Sequence, residues 1–263
     1  TAVVAVSVGG VATAAELTTM VGASGVPAGV ADQLVDGLAG IWLLNEPAEV
    51  LAADLACCHP ALSPGEVRAN LRPLDANNDR SWRLTVVAPD RPGLLAATAG
   101  TLARRGLSVK AAGMTTWPER GMALQGVTVK DPERREWKAA DWDELADEVR
   151  HVVYGQRQMS VPWKPEGPVK VVSSPVLTGH SLITVDAPDR VGLLWATSSW
   201  FRDQQFNVEA AQLESRDGRA LNLFLVVGSP DVNGLAAHLA GARRSRFPWS
   251  RDAAKRATGR PHT

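Results

Sequence analysis

The feature that most constrains the fold of this chain is an internal repeat. Residues 84–98 (LTVVAPDRPGLLAAT) align with residues 183–197 (ITVDAPDRVGLLWAT) at an offset of 99 positions. Shorter matches follow between residues 108–111 and 207–210, and between residues 121–124 and 218–221 at an offset of 97. Because the identities recur in the same order with a shift that a hairpin absorbs, the sequence predicts a duplicated domain.

Each copy has the pattern strand, helix, strand, strand, helix. Apolar and β-branched runs predict the strands, and apolar residues at helical spacing predict the helices. In the first copy the strands are predicted at 83–88, 108–115 and 121–129, and the helices at 94–102 and 141–153. In the second copy the strands are predicted at 182–187, 207–214 and 218–227, and the helices at 193–201 and 232–240.

Turn and capping residues complete this pattern. Asp90 and Asp189 directly follow the first strand of their copies and are predicted N-caps of the next helix. Asp217 and Gly218 predict a tight hairpin in the second copy. Residues 169–172 predict a fourth strand for the first copy, whereas no matching strand is evident for the second.

The first part of the chain differs from the repeat and predicts helices. Val30, Leu34, Leu38 and Ile41 share one helical face, a further helix is predicted from residues 45–47 to 55, and residues 63–66 form a capping-box pattern. The predicted division is a helical N-terminal module at 1–78, the two copies at 79–174 and 175–245, and a basic tail at 246–263.

Two short segments carry a resemblance to a known family. Residues 90–94 (DRPGL) and 189–193 (DRVGL) each end a strand and open a helix, and in this setting they resemble the ACT domain, a ferredoxin-like module that binds amino acids and other small effectors. The resemblance implies an α+β fold with two ferredoxin-like βαββαβ domains in tandem. It also implies a small-molecule amino-acid effector.

A closer resemblance is to the C-terminal part of the PII uridylyltransferase and uridylyl-removing enzymes, which ends in tandem ACT domains that sense glutamine. Residues 168–174 and 180–185 look like the segment between those domains, and residues 42–49 resemble the preceding helix. The chain contains neither a glycine–serine motif with paired aspartates nor a His-Asp dipeptide, so neither catalytic domain of that family is recognised. The resemblance therefore implies a non-catalytic sensor in nitrogen or amino-acid metabolism, with glutamine as a candidate ligand.

The candidate ligand residues lie at the two loops that open these helices. A glycine there lets a ligand approach the main chain, and the free N–H groups of a helix N-terminus attract a carboxylate. The candidates are Asp90, Arg91, Pro92, Gly93, Leu94, Asp189, Arg190, Val191, Gly192 and Leu193, with Ser108 and Asn207 as the polar residues that open the second strands. The glycines would equally suit tight turns without a ligand, the aspartates would serve as caps, and the arginines would be solvated. Asn207 favours the second copy for an amide-bearing ligand.

Composition excludes several other classes. The 28 basic and 28 acidic residues give zero net charge, which argues against a nucleic-acid coat protein. Cys57 and Cys58 are adjacent and the histidines are scattered, so no disulfide framework, metal site or cofactor site is predicted. The first basic residue is Arg68 and no apolar run is long enough to span a membrane, so we expect neither a signal peptide nor membrane association, and a cytoplasmic protein.

The sequence is also compatible with several partners and with two other functions. Pairing of sheets across a homodimer would cover exposed strand edges, and a regulated protein partner is also expected. The competing function is an interaction module whose ligand sites have degenerated, with the helical module and basic tail binding the partner. An enzyme with an active site in the first 80 residues is a third possibility.

Overall fold

Three helices lie before the repeat in the part of the chain that the structure describes. The computed structural model describes residues 13–38, 47–74, 81–133, 135–155, 161, 164, 167–177 and 179–241. Helices α1 (Ala14–Ala23), α2 (Ala28–Asp36) and α3 (Ala48–Ala56) pack through buried leucines and valines. Thr13 caps α1 because its hydroxyl accepts from the Glu16 N–H while the Glu16 carboxylate accepts from the Thr13 N–H. Ile41 and the tail at 246–263 lie outside the described residues.

The repeated part supplies all eight strands of the described sheet. Its first half contains β1 (Arg68–Leu74), β2 (Ser81–Pro89), α4 (Leu94–Arg104), β3 (Ser108–Trp117), a one-turn 3-10 helix (Pro118–Arg120), β4 (Met122–Lys130) and α5 (Ala139–Val153). Its second half contains β5 (Lys170–Leu177), β6 (His180–Pro188), α6 (Leu193–Asp203), β7 (Val208–Arg216), β8 (Arg219–Val227) and α7 (Val232–Leu239). The predicted strand, helix, strand, strand, helix run is therefore present in both copies. Asp217 and Gly218 both have positive φ in the predicted hairpin.

The eight strands form one antiparallel sheet in the order β1-β2-β4-β3-β7-β8-β6-β5. This order reads the same from both ends when each strand is replaced by its counterpart in the other half. The halves meet where β3 pairs with β7, and Gly113 lies opposite Gln212, its counterpart at the repeat offset of 99. The register thus places a pseudo-twofold axis through this pair of residues.

The predicted position of the outer strand is wrong. Residues 169–172 were expected to close the first copy, but β5 pairs with β6 of the second half, and the expected boundary between residues 174 and 175 lies inside this strand. In each half the outer strand comes before the βαββα run instead of after it, so the order is ββαββα and not βαββαβ. The physical reason is that a short turn joins β5 directly to β6, and adjacent antiparallel pairing needs no crossover.

The helical module also ends earlier than predicted. Residues 68–74, assigned to it from sequence, form β1 at the edge of the sheet, where Pro73 is tolerated. The pattern at 63–66 starts no helix. The Ser63 N–H donates to the Glu66 carboxylate at 2.7 Å, but Gly65 adopts a φ of 75° and turns the chain into the strand.

Among the described residues, helices cover both faces of the first half but only one face of the second. Helices α4 to α7 pack on one side of the sheet, over a continuous apolar core. The α1–α3 module packs on the other side of the first half, against Val87, Trp117, Met122 and Leu124. In the second half the corresponding outer face leaves Val172, Leu221 and Val227 exposed by 41%, 37% and 39%.

A buried ion pair joins the α1–α3 module to the sheet. The Asp54 carboxylate of α3 and the Arg83 guanidinium of β2 are both fully buried and lie 2.6 Å apart. Arg72 donates to the other carboxylate oxygen at 2.8 Å, and Thr85 donates to it at 2.6 Å. Gly126 leaves the room that this pair needs, since a Cβ there would overlap both charged groups.

The tryptophans of the described residues serve mainly in packing. Trp142 of α5 stacks on Trp82 of β2 with ring centroids 4.2 Å apart, and on Trp137 at 4.3 Å. Trp200 contacts Phe201 and Phe206 in the second half. These rings lie between helix and sheet.

Candidate functional site

Two clefts lie along the seam between the halves, related by the pseudo-twofold axis. The loop from Asp90 to Gly93, called loop 1, joins β2 to α4, and the loop from Asp189 to Gly192, called loop 2, joins β6 to α6. Each loop faces residues of the other half. A cleft at the seam is therefore built from both copies of the repeat.

The glycines, and not the aspartates, cap the two helices. Gly93 and Gly192 are the N-cap residues, with φ angles of 85° and 95° in the left-handed region that favours glycine. No side chain among the described residues caps either helix. The expectation that Asp90 and Asp189 are caps is wrong, because two residues separate each of them from its glycine. Their N–H groups instead donate to the Gly121 and Gly218 carbonyls, at 2.9 and 2.8 Å.

The loop-2 cleft encloses about 390 Å³, open mouth included. Loop 2 contributes all four of its residues, and the first turn of α6 closes one wall. The opposite wall belongs to the first half and consists of small and apolar residues: Ala99, Ala103, Leu107 and Val109. Ser108 itself does not line this cleft, although both of its chain neighbours do.

A pair of opposite charges from different halves lies at the loop-2 cleft. The Lys110 ammonium of β3 is 2.9 Å from the Asp189 carboxylate of loop 2, which lines the cleft. Lys110 is 38% exposed and Asp189 15% exposed, so solvent reaches the pair only in part. Asp189 and Arg190 therefore line the cleft at the N-terminus of α6, and Lys110 adds a cation of the other half beside Asp189.

Further polar groups line the floor of the loop-2 cleft. Asn222 of β8 is 2% exposed and reaches the cleft beside Ser215 of β7. Trp195 of α6 also lines it, and its indole Nε1 is buried without an acceptor among the described residues. A buried donor without an acceptor is uncommon in folded proteins. This cleft thus offers several hydrogen-bonding groups in an otherwise apolar wall.

The loop-1 cleft is partly filled by the protein itself. It measures about 270 Å³ with its open mouth included, and it is lined by Arg91, Gly93, Leu94 and Leu95 from the first half, with Ser198, Arg202, Phe206 and Asn207 from the second. The aliphatic stem of Arg202 lies against Gly93, where an added Cβ would be 2.8 Å from the Arg202 Cδ. The Arg202 guanidinium is held by the Asp203 carboxylate at 2.8 Å.

The charges beside the loop-1 cleft differ from those at loop 2. Asp90 occupies the position of Asp189, but the counterpart of Lys110 is Glu209, whose carboxylate lies 3.0 Å from His180 Nε2. Burial raises the pKa of the Asp90 carboxyl, and the nearby Glu209 carboxylate raises that pKa further. One Asp90 oxygen is buried with no hydrogen-bond partner among the described residues.

The structure brings most of the sequence candidates to the two clefts, but in a crossed arrangement. Arg91, Gly93 and Leu94 line the loop-1 cleft, and Arg190, Val191 and Leu193 line the loop-2 cleft. Pro92 is exposed and lines neither. Asn207, which was expected to serve its own copy, faces loop 1 of the other half. The expectation that Asn207 favours loop 2 for an amide-bearing ligand is therefore wrong.

Several cleft residues were missed from sequence. Lys110, Ala103 and Arg202 lie on elements that the repeat predicts, but only the pairing of β3 with β7 brings them to a loop of the other half. A comparison of the two copies would have singled out Lys110 and Glu209, because these residues of opposite charge occupy equivalent positions in the repeated segments 108–111 and 207–210.

The described residues offer little that would suit a metal site, a nucleophilic cysteine or a membrane span. No group of three or more histidine, cysteine or acidic side chains there could hold a metal ion. Burial raises the pKa of both the Cys57 and the Cys58 thiol, which lowers their reactivity as nucleophiles. Within the same residues, none of the helices is both long and apolar enough to cross a membrane.

Comparisons with known proteins add little. No family model and no curated protein matches the chain. Among solved structures, an aspartate kinase from Synechocystis covers 61% of this chain at 14% identity and a TM-score of 0.38, and this chain spans only 26% of its length. An unknown protein from Galdieria sulphuraria covers 67% of this chain, with 91% of its own length, at 15% identity and a TM-score of 0.23. These TM-scores are too low to assign a fold or a function to this chain.

Proposed function

We propose that this chain is a non-catalytic regulatory protein that binds a free amino acid between two ACT-type domains. The observation that carries the proposal is the loop-2 cleft, where Lys110 and Asp189 present opposite charges from different halves. The βαββα run in both copies and the glycine-capped helices support the ACT assignment, which began as a sequence resemblance. Glutamine stays a candidate ligand through that resemblance.

The charges fit the backbone of a zwitterionic amino acid. Its carboxylate would take Lys110 and the N–H groups of Leu194 and Trp195 in the first turn of α6, and its ammonium would take Asp189. A ligand placed in this way would exchange the Lys110–Asp189 pair for two new pairs of the same kind. Asn222 and Ser215 then remain for the ligand side chain.

Regulation would follow from the position of the cleft. Lys110 belongs to the first half and Asp189 to the second, so a ligand held by both binds most tightly to one arrangement of the two halves. A ligand with different affinities for two arrangements shifts their populations. The readout would be a change at the seam where β3 meets β7.

The proposal is tested by calorimetry and thermal unfolding with each of the twenty standard amino acids at millimolar concentration. We expect one of them to bind and to raise the unfolding temperature. Lys110→Met should weaken that binding at least about tenfold, whereas Lys170→Met, on the outer strand β5, should leave it unchanged. Gly192→Asp should abolish the binding while the unfolding transition stays cooperative. Absence of binding by every amino acid would overturn the proposal.

A second candidate function is an interaction module that needs no small ligand. The observation that favours it is the outer face of the second half, where Val172, Leu221 and Val227 are exposed on a sheet surface that no described helix covers. Capture of a partner protein that is equal with and without amino acids, and is lost in Leu221→Lys, would support this function. Capture that depends on an amino acid would instead support the sensor.

A further inference from the structure

The two clefts share one scaffold but differ at the residues that decide whether a ligand can enter. We propose that only the loop-2 cleft binds the amino acid, and that the Arg202 side chain closes the loop-1 cleft, so that one chain binds one ligand. This inference rests on the proposed function, because it concerns which of the two clefts performs it.

The first difference is steric. Arg202 of α6 covers Gly93, and its methylene groups occupy the space beside the loop-1 main chain. The counterpart of Arg202 at the repeat offset is Ala103 of α4, which lines the loop-2 cleft and ends at Cβ. The Arg202 side chain therefore blocks the approach of a ligand to the main chain of loop 1. At loop 2 the equivalent residue is Ala103, whose methyl group leaves the approach open.

Two neighbouring pairs act in the same direction. Ser198 and Phe206 line the loop-1 cleft, and their counterparts Ala99 and Leu107 line the loop-2 cleft. In each pair the larger side chain lies at loop 1. Bulkier side chains therefore surround loop 1 than loop 2.

The second difference is electrostatic. At loop 2 the facing groups are Lys110 and Asp189, which suit the carboxylate and the ammonium of one zwitterion. At loop 1 the facing groups are Glu209 and Asp90, two acids whose proximity contributes to the raised pKa of Asp90. The acid Glu209 thus stands where loop 2 has the cation Lys110, and of the two arginines that line the loop-1 cleft, Arg91 and Arg202, the second is held by Asp203.

The repeat supplies matched variants for a test. Ala103→Arg places in the loop-2 cleft the side chain that covers loop 1, and we expect it to weaken amino-acid binding at least about tenfold. Gln204→Arg is the control, because it adds the same charge at the exposed end of α6 and reproduces Arg105 of the other copy. Thermal unfolding of both variants shows whether they keep the fold.

The reverse change should create a second site. Arg202→Ala with Glu209→Lys gives the loop-1 cleft the residues that loop 2 has at these positions. Calorimetric titration with L-glutamine, and with the amino acid that most raises the unfolding temperature, should give one ligand per chain for the natural sequence and two for the double variant.

The outcomes separate this inference from the proposed function. Two ligands per natural chain, unchanged binding in Ala103→Arg, or a double variant that still binds one ligand would overturn the assignment to loop 2 and leave the sensor function standing. Absence of binding by the natural chain would overturn both.

Discussion

The two halves of the sheet have the same topology, but their outer faces differ. Helices α1–α3 cover the outer face of the first half, whereas the outer face of the second half leaves apolar side chains exposed. In the first half, Leu124 and Met122 are buried beneath α1–α3. Their counterparts at the offset of 97 are Leu221, which is 37% exposed, and Arg219, which pairs with Asp186 in solvent. The same scaffold is therefore compatible with two different outer faces, and the residues at equivalent positions decide what each face contacts.

The buried ion pair shows the same divergence. Arg83 and Gly126 make the polar contact with Asp54 of the helical module possible. In the second half Leu182 stands in the place of Arg83, and Leu223 stands in the place of Gly126. Since no cation and no gap remain there, a second module docked through a buried aspartate would not fit that face.

The largest expected effect comes from shortening equivalent leucines. Leu124→Ala removes a fully buried side chain between β4 and the α1–α3 module and should lower the free energy of unfolding by about 2–5 kcal/mol. Leu221→Ala should change it by no more than about 0.5 kcal/mol, because Leu221 is exposed. Urea denaturation of both variants measures the two values. Equal losses would mean that the outer face of the second half is also covered in solution.

A smaller effect is expected from the two cap glycines. Gly93→Ala and Gly192→Ala each force a side chain into the left-handed region, which costs about 1–2 kcal/mol. Gly93→Ala should cost less stability in an Arg202→Ala background than in the natural chain, where its Cβ would be 2.8 Å from Arg202 Cδ. Thermal unfolding measures the difference.

Gly29→Ala serves as the control for these variants. Gly29 lies in α2, and an added Cβ there meets nothing within 4 Å. This change should stabilise the protein, since alanine favours a helix more than glycine. An equal loss for Gly93→Ala in the natural chain and in the Arg202→Ala background would contradict the account of Arg202 at loop 1.

The smallest effect concerns Asp90 and depends on pH. Because burial raises the pKa of Asp90 in the folded protein, ionisation of this group opposes folding. The stability of the natural chain should therefore fall relative to Asp90→Asn as the pH rises from below the ordinary aspartate pKa through the raised value. Denaturation at a series of pH values tests this. In a Glu209→Gln background the pH-dependent difference should shrink, and an unchanged difference would exclude a contribution from Glu209.

Much of the fold could be predicted because its signals are local. Strands with β-branched residues, apolar helical periodicity and the Asp217–Gly218 turn each depend on a few neighbouring residues, and both copies showed them. Strand β1 escaped prediction because its sequence, RANLRPL, has no β-branched residue and contains Pro73. The partner of β5 escaped prediction because an edge strand of this composition suits either half.

The candidate site was predicted only in part. The loops and their glycines were found because the repeat marks them twice. The partners across the seam were not, because nothing in a single copy indicates which strand of the other copy lies beside it. Lys110 lies beside Asp189, and Arg202 beside Gly93, only because β3 pairs with β7.

The sequence by itself determined that the chain contains a duplicated βαββα unit, that each unit has a glycine at a strand-to-helix loop, and that the copies differ at Lys110 and Glu209. The tertiary structure alone decided that one continuous sheet joins the copies and that each loop faces the opposite half. The physical reason is that local propensity and periodicity act within a few residues of the chain, whereas strand pairing across the seam satisfies edge hydrogen bonds between residues about a hundred positions apart.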